Sequence, residues 1–166
     1  MDHQAPPGNN IARYLPYRAE HFPMRPAVIV QKPDGSWPGY NFAELNNCSD
    51  SYAHGLLGMG MERGMKVLVM VRPGLEFIAI AFALFKAGLV PVLIDPGMGI
   101  RNMLGCIQQI KPEGFIGIPK AHFMRLLYRI YFKSVKFQVT VGRKWFWGGG
   151  RPWMVSAGFG ISLLLL

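Results

Sequence analysis

Residues 67–99 read VLVMVRPGLEFIAIAFALFKAGLVPVLIDPGMG, and the fold class follows from this stretch. Its first five residues are a continuous apolar run, the pattern of a strand covered on both faces. Residues 75–87 are apolar nearly all round and rich in helix formers, with Gly88 placed as a C′ residue that ends the helix. A second apolar run covers residues 89–94. Pro91 removes a ladder donor inside it, which predicts a strand start or a bulge at that point. Strand, helix and strand in quick succession is the β-α-β rhythm of a parallel sheet.

The same alternation continues downstream. Residues 102–110 read as a helix stopped by Lys111-Pro112. Residues 115–118 form a third strand, 121–132 a helix and 137–141 a fourth strand. The expected class is therefore α/β, a mostly parallel sheet with helices on both faces and right-handed crossovers. Upstream, Asn9-Asn10 offers an N-cap for a helix over 11–22, which Pro16 must kink or shorten. Residues 27–31 and 37–40 read as a small hairpin around the turn Lys32-Pro33-Asp34-Gly35. Asn41 followed by Glu44 is a capping-box variant opening a helix to about Gly58. No internal repeat is present.

A chain of 166 residues is normally one domain, and its apolar content argues against disorder throughout. Cys48 and Cys106 are too few for a disulfide framework and lack zinc-site spacing, so a reducing compartment is expected. The start, Met1-Asp2-His3-Gln4-Ala5-Pro6-Pro7, has no secretory signal character. The apolar tail, residues 155–166, is short of the roughly 20 residues that span a bilayer. These features predict a cytoplasmic protein with no transmembrane segment. The net charge is +9. No Asp or Glu follows Glu113, whereas Lys120, Arg125, Arg129, Lys133, Lys136, Arg143, Lys144 and Arg151 all do. Such a block can mark contact with nucleic acid or an anionic membrane, or a surface whose acidic neighbours lie elsewhere in a longer protein. After residue 141 the alternation ends. The basic, aromatic and Gly-rich stretch 143–153 and the run of four leucines at the end look like an interruption of a longer design.

No G-x-x-x-x-G-K-[ST] phosphate loop occurs. Gly97-Met98-Gly99-Ile100-Arg101-Asn102 follows a strand and opens a helix, as a dinucleotide loop should, but Asn102 replaces the third glycine. Asp95-Pro96-Gly97 is equally a plain turn signal. His3, His21, His54 and His122 have no second ligand type at metal-site spacing. Ser36, Ser49, Ser51, Ser134, Ser156 and Ser162 include no G-x-S-x-G elbow, so hydrolase chemistry is unsupported. In residues 121–132, Phe123, Leu126, Leu127, Ile130 and Tyr131 fall at helical spacing, with Arg125, Arg129 and Lys133 on other positions. This is the pattern of an ordinary amphipathic helix docked through that face on the sheet, or of an interfacial helix on anionic lipid. Arg143-Lys144-Trp145-Phe146-Trp147 could stack on single-stranded bases, but no nucleic-acid-binding fold frames it.

With these elements in place, the chain resembles the N-terminal subdomain of AMP-forming acyl and aryl ligases. Tyr40-Asn41-Phe42-Ala43-Glu44-Leu45 is similar to their Y-T-F-x-E-L, with Asn41 in place of the capping Thr. Glu62-Arg63-Gly64-Met65-Lys66-Val67 resembles their G-D-x-V strand entry, with Met65 where Asp is usual. Glu76-Phe77, Ala83, Ala87-Gly88-Leu89-Val90-Pro91-Val92 and Asp95-Pro96 resemble their E-F…A…A-G-x-x-x-V…[ND]-P block. Arg72-Pro73-Gly74, Phe82-Ala83-Leu84-Phe85-Lys86 and Val92-Leu93-Ile94-Asp95-Pro96-Gly97-Met98-Gly99 look most like the fatty-acid ligase-like branch of olefin biosynthesis, whose members activate a β-hydroxy acid and close it to a β-lactone. The resemblance covers about residues 10–149. It implies a partial AMP-binding ligase subdomain over 1–149 and a divergent apolar tail over 150–166. It implies ATP, Mg and a fatty acyl substrate for a complete enzyme. The family's Ser/Thr/Gly-rich phosphate loop, its aromatic-Gly-x-Thr-Glu motif, its ribose-binding Asp and its C-terminal adenylation Lys have no counterpart here. No catalytic, cofactor-binding or metal-binding residue is therefore assigned in this chain, no cofactor is expected on it, and it is expected to be inactive alone. The competing expectation is a small basic accessory protein that contacts membrane, nucleic acid or a separately encoded ligase remainder.

Overall fold

The computed structural model describes residues 10–142, 153–154 and 161–163. The chain enters through a 3-10 turn, Ile11–Arg13, capped by Asn10, whose Oδ1 accepts from the Ala12 N–H at 2.9 Å. Helix α1 (Tyr14–His21) follows directly. Pro16 thus lies in the first turn of α1, where a missing N–H costs nothing, and the helix expected over 11–22 is shortened accordingly. Strands β1 (Pro26–Ile29) and β2 (Gly39–Asn41) pair antiparallel as a separate two-stranded sheet. Helix α2 (Phe42–Gly58) opens with a complete capping box. Asn41 Oδ1 accepts from the Glu44 N–H at 2.8 Å, and Glu44 Oε2 accepts from the Asn41 N–H at 2.9 Å.

The main sheet is then laid down by β3 (Lys66–Met70), α3 (Leu75–Ala87), β4 (Val90–Val92), α4 (Ile100–Ile110), β5 (Gly114–Gly117), α5 (Pro119–Leu127) and β6 (Phe137–Val141). Two short strands, β7 (Trp153–Met154) and β8 (Ile161–Leu163), complete it. The spatial order is β4-β3-β5-β6-β8-β7. The first four strands are parallel, and β8 and β7 join antiparallel beyond β6. The α/β class with a mostly parallel sheet is thus present, and the antiparallel addition is a feature that the upstream alternation did not announce.

Pro91 is neither a strand start nor a bulge: it is the middle residue of β4. The Val90 N–H bonds to the Met65 carbonyl at 2.9 Å. Donors alternate in direction along a strand, so the position of Pro91 points toward the open edge, where no ladder bond is lost.

Side chains alternate across the sheet with period two. Val67 and Val69 of β3, Ile116 of β5 and Val139 and Val141 of β6 pack with α1, α2 and α3 in one core. Leu68 and Phe115 point the other way and pack with α4 and α5 in a second core. The helices therefore cover both faces, and the strands read as apolar runs because neither face is wet. Helices α2 and α3 are also joined by an ion pair. Lys86 Nζ lies 2.7 Å from Asp50 Oδ1, and it donates to Asn46 Oδ1 at 2.9 Å and to the Asn46 carbonyl at 3.2 Å.

The helix expected over 121–132 is corrected in both extent and orientation. It runs from Pro119 to Leu127, and a 3-10 turn, Arg129–Phe132, replaces its second half. Ala121 and Phe132 are buried, with Met124, Tyr128 and Tyr131 packed against the same core. Phe123, Leu126, Leu127 and Ile130 are exposed. The stripe read from the sequence as the docking face therefore points to solvent, save for Tyr131.

Candidate functional site

In a doubly covered parallel sheet, the chemistry sits outside the carboxyl ends of the strands, where neighbouring connections diverge. Here β4 lies on one side of β3 and β5 on the other. The divergence falls between the loop after β3, Val71-Arg72-Pro73-Gly74, and Ile118 after β5. Three helices begin along this rim. The N-terminus of α3 at Gly74, of α4 at Gly99 and of α5 at Ile118 all lack a side-chain cap. First-turn N–H groups without an intrahelical partner give a helix start a positive end. Arg72, Arg101 and Lys120 stand exposed beside these starts. Glu76 supplies an acid in the first turn of α3, and α4 and α5 have none. The rim is polarised to favour an anion.

The glycine-bearing loop at residues 97–102 is closed as a turn. Asp95 Oδ1 accepts from the Gly97 N–H at 2.8 Å, which removes that donor from any ligand. Pro96–Met98 makes a 3-10 turn, Gly99 caps α4 with φ +82°, and Asn102 Nδ2 donates to the Met98 carbonyl at 3.0 Å. The glycines serve the entry to α4. Asn102 anchors it where a dinucleotide loop would need a glycine.

The remaining candidate residues are not brought together. His21 stacks on Tyr17 with ring centroids 4.1 Å apart, and His54 is exposed on α2. Cys48 is buried on α2, and Cys106 lies half-buried on α4. His3 and the aromatic-basic run at 143–147 lie outside the described residues. Among the described residues, no three His, Cys, Asp or Glu side chains converge as a metal site requires.

Two arrangements were not legible in the sequence. His122 Nε2 lies 3.1 Å from the Val139 carbonyl and 3.2 Å from Thr140 Oγ1, and Phe115 meets its ring edge-on at 4.9 Å. Burial, the largest influence, lowers the imidazole pKa, and the hydrogen bond to Val139 opposes that. On the other face, Tyr40, Cys48 and Tyr52 cluster between the small sheet and α2. Burial pushes the Tyr40 phenol up to about 12, with Cys48 beside it adding to the shift. Tyr52 is raised further by the same causes, and its buried hydroxyl has no hydrogen-bond partner among the described residues. These groups are held neutral, which suits packing more than proton transfer.

A parallel sheet of this order, covered by helices on both faces, is an α/β scaffold whose rim favours an anion. A family model described as AMP-binding enzyme matches residues 15–135, and the chain belongs to that family. The chain is 43% identical over 147 residues to an olefin beta-lactone synthetase from Stenotrophomonas maltophilia, an alignment that covers 84% of this chain and 26% of the relative. It is 41% identical over 148 residues to an olefin beta-lactone synthetase from Xanthomonas campestris pv. campestris, with 84% of this chain and 26% of that relative covered. The chain thus spans about a quarter of the length of these curated relatives. In three dimensions it is similar to the coronafacic acid ligase of Pectobacterium brasiliense, with a TM-score of 0.70 at 17% identity over 80% of this chain and 26% of that one. What it matches is the N-terminal part of AMP-forming ligases. No helix among the described residues is long and apolar enough to cross a membrane.

Enzymes of this family use ATP. The donor set described here does not complete an ATP–magnesium site. The rim has cations and helix starts, but it lacks a cluster of carboxylates for the metal and a hydroxyl-rich loop for the triphosphate.

Proposed function

We propose that this chain forms the N-terminal scaffold of an ATP-dependent, AMP-forming ligase for a fatty or β-hydroxy fatty acid. In that reading residues 1–149 are the ligase subdomain and 150–166 a divergent tail. ATP and Mg are held by the family motifs that this sequence lacks, and the scaffold works in the cytoplasm. The carrying observation is the 43% identity to an olefin beta-lactone synthetase across most of the chain. The β3-α3-β4 unit and the turn at 95–99 lie within the matched family segment. Adenylation needs donors and cations around a triphosphate plus a metal to offset developing charge. The rim supplies positive helix starts and leaves the rest to other segments.

The test is ATP–pyrophosphate exchange with long-chain 3-hydroxy acids. It is run on this chain alone and after co-expression with the remaining segments of the Stenotrophomonas relative. The expected result is background exchange alone and exchange above background from a co-purified pair. Exchange by the chain alone would overturn the division of labour. A stable pair without exchange on any fatty acid would overturn the ligase reading.

A further inference from the structure

Helix α5 and the 3-10 turn after it present Phe123, Leu126, Leu127 and Ile130 to solvent, with exposures of 59%, 48%, 67% and 65%. The spacing i, i+3, i+4 sets Phe123, Leu126 and Leu127 on one face of α5, and Ile130 is exposed on the 3-10 turn that follows. Their neighbours in sequence, Tyr128 and Phe132, already pack against the sheet, so the stripe is not a displaced core face. Exposed Lys120, Arg129 and Lys133 lie along the same segment. None of these cations has a carboxylate within salt-bridge distance among the described residues, and the sequence contains no Asp or Glu after Glu113.

We infer that this face docks on an anionic phospholipid surface. Apolar side chains in line sink into the headgroup–acyl boundary, and cations beside them meet lipid phosphates at the surface. Charge complementarity favours this occupant over a second copy of the chain or a neutral apolar partner. A second copy of the chain would bring the same cations face to face, and a neutral apolar partner would leave them desolvated without counter-ions. The contact is peripheral, since α5 is far shorter than a span. Lys120 is shared with the rim, and in the ligase reading the remaining segments of the enzyme are the competing cover for this face, so loss of vesicle binding in the co-expressed pair would overturn the inference.

The test is sedimentation of the purified chain with vesicles of phosphatidylcholine alone or of phosphatidylcholine with phosphatidylglycerol, at low and high salt. Binding is expected to the anionic vesicles only, and to fall with salt. Arg129→Gln with Lys133→Gln should weaken it roughly 30-fold, from about 1 kcal/mol per cation near the surface. Leu127→Asp should weaken it at least about tenfold by removing one anchor from the boundary. All three positions are exposed, so an unchanged melt shows that the fold is intact. Equal binding to neutral vesicles would overturn the inference, as would variants that bind like the parent, which would assign the contact to another segment. Self-association that Leu127→Asp abolishes, with no vesicle binding, would also overturn it and give the face to a second copy.

Discussion

Replacing Lys86 by Met tests the packing of the two helices that back the β3-α3-β4 unit. Met keeps most of the side-chain volume and removes the ammonium. In the parent the Lys86 side chain is 10% exposed and its ammonium lies 2.7 Å from Asp50 Oδ1, with the carbonyl and amide oxygens of Asn46 as further acceptors. Breaking a fully buried pair costs about 3–5 kcal/mol. Asp50 is 45% exposed, however, and its carboxylate regains water when the partner leaves. The expected loss is therefore discounted to about 2–3 kcal/mol. For a domain of this size that lowers the melting temperature by roughly 5–10 °C. Asp50→Asn should cost less, about 1–2 kcal/mol, because Lys86 keeps the oxygens of Asn46. Urea denaturation of the parent, both single variants and the double variant closes the cycle, and a coupling of about 1 kcal/mol or more is expected. A loss within about 0.5 kcal/mol for Lys86→Met would refute the reasoning and reduce the contact to an ordinary surface ion pair.

Two further outcomes follow from single side chains. Gly88 ends α3 at φ +72°, and an added Cβ would approach Arg63 Nε to 2.8 Å. Gly88→Ala should cost about 1–2 kcal/mol through the left-handed conformation alone, measured by urea denaturation; an unchanged midpoint would mean that the helix end can shift to another cap. His122 has a lowered pKa in the folded state, so the unfolded chain binds the proton more readily. Its contribution is intact above about pH 6.5 and is lost as pH falls through that value toward the folded pKa. His122→Gln should flatten the dependence of stability on pH below about 6.5, and a parent with no slope there would contradict the burial argument.

The features read correctly from the sequence are those whose causes lie within a few residues. Asn41 and Glu44 bond each other across one helical turn, so their types and spacing were sufficient. Gly88 ends α3 because only the local φ matters there. The apolar run at 67–71 announced a strand covered on both faces, and the alternation of strands with helices announced the sheet. What failed depended on neighbours distant in sequence. Pro91 was ambiguous because its tolerance depends on β4 being an edge strand, which the order of the whole sheet decides. In 119–132 two apolar stripes overlap, one through Phe123, Leu126, Leu127 and Ile130, the other through Ala121, Met124, Tyr128 and Phe132. Spacing alone cannot rank them. The Phe115 ring ranks them by meeting Phe132 edge-on at 5.8 Å.

The candidate rim divides in the same way. Asp95, Gly97, Gly99 and Arg101 are visible in the sequence as turn and helix-opening residues. Their gathering at one end of the sheet is not visible, because it depends on β4 and β5 leaving β3 in opposite directions. By itself, the sequence determined the class of fold, the capped ends of α2 and α3 and the family to which the chain belongs, since each rests on local residue types and their order. Only the tertiary structure decided which face of α5 is covered, why β4 tolerates Pro91 and which cation closes onto Asp50. Those outcomes depend on contacts between segments tens of residues apart, where side-chain direction and sheet order select among patterns that spacing leaves equivalent.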